Sequence, residues 1–307
     1  MVTTQPPRSE QDAASPGLTP ELIARIKRLE IRTRRLAGTL LAGDYRSIYR
    51  GTGIEFAEAR EYIPGDDVRR IDWNVTARMG APWVKEFVEE RELAVICAVD
   101  ISGSQLVARP RTGRLGAAAE LTALFGFVAA LNHDRAGLLT FTDRVERFVP
   151  PRHGRRHVLR MIREVLLHDD PHRGTSITAA TAYLQRVLPR RSVVFLISDW
   201  FDSGYAPSLR ALARRHDVTA LALVDPIDLE LPDVGLLEVE TAEGGARLML
   251  DTSDARVRER YAAAAHERAA RRSEQLAVAG VDEVIIHVGD EVVSPIVAYF
   301  RSRARRR

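Results

Sequence analysis

The chain has 307 residues, 45% hydrophobic and 28% charged, with a formal net charge of +3 and a sequence pI near 9.2. That supports one large or two small cores in a soluble protein, and so mild a basic excess does not by itself argue for nucleic acid. The single cysteine, Cys97, excludes a disulfide framework and reads as a small buried hydrophobe.

Residues 1–17 are rich in Thr, Gln, Pro and Ser and are expected to form a disordered tail. They lack the apolar centre of a secretory leader. The most apolar helical stretch, residues 115–131, is interrupted by Glu120 and flanked by Arg114 and His133, so no membrane span is expected. A cytoplasmic location is the resulting expectation. Thr19-Pro20-Glu21 predicts a helix start within residues 18–39, with Thr as cap and Pro in the first turn. Leu22, Ile23, Ile26, Leu29 and Ile31 would be its apolar positions, its Arg and Lys a solvated face. Residues 40–92 read as a small β-rich subdomain, with alternating runs at 45–49, 55–62 and 83–88 punctuated by Gly51, Gly53, Pro64, Gly65 and Gly80.

Residues 93–300 alternate strands and helices. Strands are predicted at 93–99, 135–141, 192–198, 218–224 and 283–288, with an antiparallel edge strand at 145–149. Helices are predicted at 114–131, 155–167, 177–188, near 207–215, at 254–278 and at 294–301, with a hairpin around Glu243-Gly244-Gly245. This order predicts an α/β fold with a doubly wound, mostly parallel sheet. Residues 301–307 read as a basic, frayed end.

The run Ala94 to Val99 ends in Asp100-Ile101-Ser102-Gly103-Ser104. In open α/β sheets ligands sit outside the carboxyl ends of strands, which is where Asp100, Ser102 and Ser104 would stand. Gly103 is expected to let the turn bend so that both hydroxyls face one point. Two later loops add Thr175, before a helix, and Asp199, at the end of a second buried strand. Hard oxygens of this kind suit Mg²⁺ or Mn²⁺, and also Ca²⁺. Taken alone, the turn could equally be a capped strand end. Trp200, Phe201 and Asp202 follow as a rim beside the site, either packed on a neighbouring helix or contacting a partner.

The set Asp100, Ser102, Ser104, Thr175 and Asp199 resembles the metal-ion-dependent adhesion site of the von Willebrand factor type A domain. In that family an Asp-x-Ser-x-Ser turn, a loop Thr and a strand-end Asp share one divalent cation. Arg173 and Trp200 stand where that family usually has glycine. A second, more specific resemblance lies upstream. Arg60, Tyr62, Gly65, Asp66, Arg69, Ile71, Asp72 and Trp73 are similar to the signature of the bacterial DUF58 family, which precedes a von Willebrand type A-like domain. Bottom-up, these alternating charges beside aromatics read as an ion-pair network partly buried against the α/β domain, or as a second binding site. The two resemblances imply a non-enzymatic interaction module that works with a MoxR-type AAA+ ATPase or its substrate.

Other chemistries are less well supported. A Mg²⁺-dependent phosphoryl-transfer or hydrolytic enzyme would use Asp100 or Asp199 as nucleophile or base. For nucleic-acid binding only the Arg-rich ends speak. The chain has no phosphate-binding Gly-x-x-x-x-Gly-Lys-[Ser/Thr] loop, and Ser102 is not in a Gly-x-Ser-x-Gly elbow. His153 with His157, and His168 with His172, have zinc-like spacing, but arginines surround the first pair and Pro171 breaks the second.

Overall fold

The computed structural model describes residues 55–88, 92–106, 113–167, 174–240 and 247–306, with positions 24, 26–28, 30, 31, 33 and 45. Strands β1 (Glu55–Glu61) and β2 (Trp83–Val88) pair antiparallel. Between them lies helix α1 (Trp73–Met79), which the reading of a small β-rich subdomain did not include. Its signals are local: Asp72 accepts from the N–H groups of Asn74 and Val75, and Gly80 closes the helix at φ 73°. The β-prone Trp, Val and Thr hide a helix whose two caps outweigh propensity.

Six strands form the main sheet: β3 (Ala94–Asp100), β4 (Arg135–Phe141), β5 (Val145–Arg152), β6 (Val193–Ser198), β7 (Asp217–Val224) and β10 (Asp282–His287). Their order is β10-β7-β6-β3-β4-β5, all parallel except β5. The chain leaves β3 toward β4 and returns to β6 on the other side of β3. The carboxyl ends of β3 and β6 therefore flank the topological switch point, where such sheets open a crevice. β8 (Leu236–Glu240) and β9 (Arg247–Asp251) form the expected hairpin.

Both faces of β3 and β6 are buried because helices cover each side. On one face lie α2 (Arg114–Leu131), α3 (Arg155–Leu166) and α8 (Val293–Arg306). Phe125 of α2 stacks on Phe195 of β6 at 3.7 Å between ring centroids, with Phe300 edge-on to both. The other face carries α4 (Ile177–Val187), α5 (Ala206–Ala213) and α7 (Ala255–Ala279). A one-turn helix, α6 (Pro226–Leu229), follows β7 and was not expected. By length and composition α2 could cross a membrane; 78% of it is buried inside the fold, as in a core helix.

Several expectations need correction. Ile26 joins the core, but Ile31, counted as apolar face, is 73% exposed. Tyr45 was read as strand but is helical, and its buried hydroxyl donates to Asp134 at 3.0 Å. The basic end is not frayed. α8 runs on to Arg306, and Arg303 binds both Asp217 oxygens at 2.7 Å and the Tyr299 hydroxyl at 2.7 Å. The expected tail at 1–17, and Arg173, His168 and His172, lie outside the described residues.

Candidate functional site

β3 runs straight into the turn that carries the first three oxygens. The Ile101 N–H still donates to Phe141 at 2.9 Å, so the turn is held to β4 as it leaves the sheet. The Ser102 N–H donates to Asp100 Oδ1 at 2.9 Å, and Gly103–Leu106 forms a 3₁₀ turn. Gly103 takes no positive φ, and a 3₁₀ turn needs none. The turn brings the Ser102 and Ser104 hydroxyls to 3.1 Å from each other.

Thr175 enters from the loop before α4. The Ser176 N–H donates to Thr142 at 2.8 Å and the Ser176 side chain caps α4 at Ala179, which fixes that loop to the sheet. The Thr175 hydroxyl then lies 2.8 Å from Ser102 Oγ and 3.5 Å from Asp100 Oδ2. Asp199, following β6, accepts from the Phe201 N–H at 3.2 Å, and the Ser104 hydroxyl also reaches it. The structure thus brings all five sequence-identified residues to one point. Asp100, Ser102 and Asp199 are at most 3% exposed, Ser104 8%.

Ser198 was missed by sequence reasoning. Its hydroxyl donates to Asp100 Oδ2 at 2.6 Å and accepts from the Trp200 N–H at 3.0 Å, tying the two strand ends together. The Ser198-Asp199 pair was visible, but an inward hydroxyl at a strand end has no sequence mark. Arg114 was noted only as a flank of an apolar helix. It is 4% exposed, donates to the Ser104 carbonyl at 2.7 Å, pairs with Asp228, and stands 3.9 Å from Asp199 Oδ2.

The rim differs from expectation. Trp200 is not available to a partner: it is 4% exposed, lies edge-on to Tyr205 and donates its indole N–H to Leu221 at 3.3 Å. It stands at φ 63°, so the left-handed backbone that glycine usually supplies is kept by a tryptophan whose ring is anchored inward. Asp202 accepts from the Ile177 N–H at 2.7 Å and so caps α4. Phe201 alone remains a rim aromatic, 45% exposed.

The electrostatics follow from burial. Desolvation, and then the Asp199 carboxylate, push Asp100 up to about 7 against hydrogen bonds from Ser198 and Ser102. Desolvation also raises Asp199, opposed by Arg114 and the Ser104 hydroxyl. Asp199 Oδ2 is buried without a hydrogen-bond partner. Two repelling carboxylates, one with an oxygen that lacks a hydrogen bond, beside three converging hydroxyls fit a hard divalent cation. Among the described residues no three His, Cys, Asp or Glu side chains cluster as a metal site; this group has two carboxylates, and its other donors are hydroxyls.

The segment Arg60 to Trp73 is built differently. Arg60 binds both Asp66 oxygens at 2.7 and 2.8 Å, and the Ile63 N–H adds a third bond at 2.9 Å. Arg60, then Ile63, hold the Asp66 carboxyl down at about 2. Gly65 takes φ 114° inside this turn. Asp67 caps a short 3₁₀ turn through the Arg69 N–H, and Ile71 bridges to Val84. The expected burial against the α/β domain is not found at the large side chains. Ile63 and Val68 are each 60% exposed and Trp73 70%; the Arg60–Asp66 pair closes within the segment, and the Asp72 N–H donates to Trp83 of β2 at 2.8 Å. Tyr62 is half-buried, and its N–H donates to Pro82.

The family described as "Protein of unknown function DUF58" matches residues 58–271. The uncharacterized protein Rv1480 of Mycobacterium tuberculosis is 32% identical over 289 residues, covering 93% of this chain and 91% of that protein. Among solved structures, the conserved hypothetical protein BatB from Bacteroides thetaiotaomicron is similar at 18% identity and TM-score 0.46, covering 69% of this chain and 99% of that one. The SpRpn10 VWA domain is similar at 12% identity and TM-score 0.37, covering 68% of this chain and 95% of that one. The chain belongs to the DUF58 family, and its α/β domain is built on a mostly parallel, six-stranded sheet.

Proposed function

We propose that this chain is a cytoplasmic, divalent-metal-dependent protein-interaction module whose partner is a MoxR-type AAA+ ATPase or that ATPase's substrate. One observation carries the metal reading: five oxygen-bearing side chains meet at the switch point, and a buried Asp199 oxygen there lacks a hydrogen bond. Asp100, Ser102, Ser104, Thr175 and Asp199 would hold Mg²⁺ or Mn²⁺. A cation so held supplies an electrophilic position for an acidic side chain from the partner. Ser198 and the Ser102 N–H orient Asp100, while the Phe201 N–H orients Asp199. Phe201 offers exposed apolar area beside the point of entry.

The ATPase partner is implied by the family resemblance. It accords with a chain that has no phosphate-binding loop of its own. The test is a binding titration of the purified chain against the MoxR-type ATPase of the same organism, in Mg²⁺ and in excess chelator. Asp100→Ala should weaken binding without lowering the melting temperature, and chelator should do the same to the wild type. Wild-type affinity in both conditions would remove the metal from recognition.

A further inference from the structure

Arg114 opens helix α2, the helix end at which the macrodipole disfavours a cation. It is nonetheless buried, and its Nε has no hydrogen-bond partner. Burial works against its charge, but Asp199, Asp228 and Asp225 outweigh burial and keep it cationic. Its Nη1 faces Asp199 Oδ2, the site oxygen that lacks a hydrogen bond, at 3.9 Å. Its Nη2 is paired to Asp228 on α6. One guanidinium therefore spans a site carboxylate and a neighbouring turn.

We propose that Arg114 is a tethered counter-cation of the site, competing with the divalent cation for Asp199 and yielding toward Asp228 as that cation binds. This inference rests on the metal reading above. A fixed positive charge beside a dication site lowers its affinity, while the same charge offsets the repulsion between Asp100 and Asp199 when no dication is there. Arg114 thus keeps the two carboxylates tolerable and makes loading reversible.

The same side chain couples the site to its surroundings. Asp228 belongs to a capping box with Asp225, and Ile227 of that turn accepts from the Tyr261 hydroxyl of α7 at 2.7 Å. Arg268 of α7 lies over the Phe201 ring at 5.8 Å, as Arg114 does from its side. A shift of Arg114 toward Asp228 would change the cationic contact on Phe201, the exposed aromatic at the rim. The partner surface would then register whether the site is loaded.

The experiment is a Mn²⁺ titration followed by electron paramagnetic resonance on the full chain, comparing wild type, Arg114→Met, Arg114→Lys and Asp228→Asn. Arg114→Met should bind Mn²⁺ about tenfold more tightly than wild type, and Arg114→Lys, which keeps the charge, should stay within about threefold. Asp228→Asn should weaken Mn²⁺ binding, because Arg114 then loses its paired carboxylate on α6 and is held more strongly by Asp199. It also carries the test if Arg114→Met fails to fold. Mn²⁺ binding that is no tighter in Arg114→Met, or unchanged in Asp228→Asn, overturns the counter-cation role and leaves the metal reading standing. Absence of Mn²⁺ binding by wild type and all variants overturns both.

Discussion

Two regions of this molecule use the same alphabet of aspartate and arginine and do opposite things with it. At the carboxyl ends of β3 and β6, Asp100, Asp199 and Arg114 are almost fully buried, and desolvation raises both carboxyls. In the segment from Arg60 to Trp73, the Arg60–Asp66 pair keeps 36% and 21% of its side-chain surface in water, and Asp66 falls to about 2. The difference is solvent, not residue type. A carboxylate paired in water gains from its partner at small cost, whereas one buried beside another carboxylate costs more than its hydrogen bonds return. The first arrangement makes a stable turn. The second pushes both carboxyls toward their protonated forms.

The pH dependence of stability should show this contrast most strongly. Asp100 is raised in the folded state, so between about 4 and about 7 the folded chain holds a proton that the unfolded chain has lost. In chelator, stability should fall as pH rises through that window, by about 1.4 kcal/mol for each unit over which the two states differ by one proton. Asp100→Asn should flatten the slope in urea melts. An unchanged slope would mean that the carboxylates are neutralised in some other way.

Trp200→Gly is the next largest. Glycine relieves a left-handed backbone at about 1–2 kcal/mol, but loss of a buried aromatic costs roughly 3–5 kcal/mol. The ring wins, so the melting temperature should drop even though glycine suits the left-handed backbone. A more stable variant would show that backbone strain dominates. Asp72→Ala should cost about 1 kcal/mol through loss of its helix cap. A larger loss by denaturant unfolding would restore the buried-network reading.

The smallest effect belongs to Asp66. Its folded value is depressed, so its contribution is present above about 4 and is lost as pH falls toward about 2, the reverse sign to Asp100. Arg60→Met should remove this acid limb while leaving the Asp100 slope intact. If both limbs change together, the two regions are coupled and the contrast fails.

Much of this architecture was legible in the residues. The short apolar runs at β3, β6 and β7 read as strands covered on both faces, and their alternation with helices points to a parallel, doubly wound sheet. The five site residues could be chosen because strand ends in such a sheet share one edge. Helix α1 was missed because its apolar residues are β-prone, although Asp72 and Gly80 bracketed it.

Burial was decided by the tertiary structure alone. Trp200 and Phe201 are neighbours, yet one packs on Tyr205 and the other faces water. Arg114 and Arg60 are both arginines near aspartates, yet only one is removed from solvent. Periodicity places a residue on a face of its own element. It does not say which distant element covers that face, and the cost of a charge depends on that cover. The sequence by itself therefore determined the sheet, its order of elements and the oxygens at its rim. Packing of α2, α6 and α7 around the switch point decided which charges lose their water there, and with it what the site can bind.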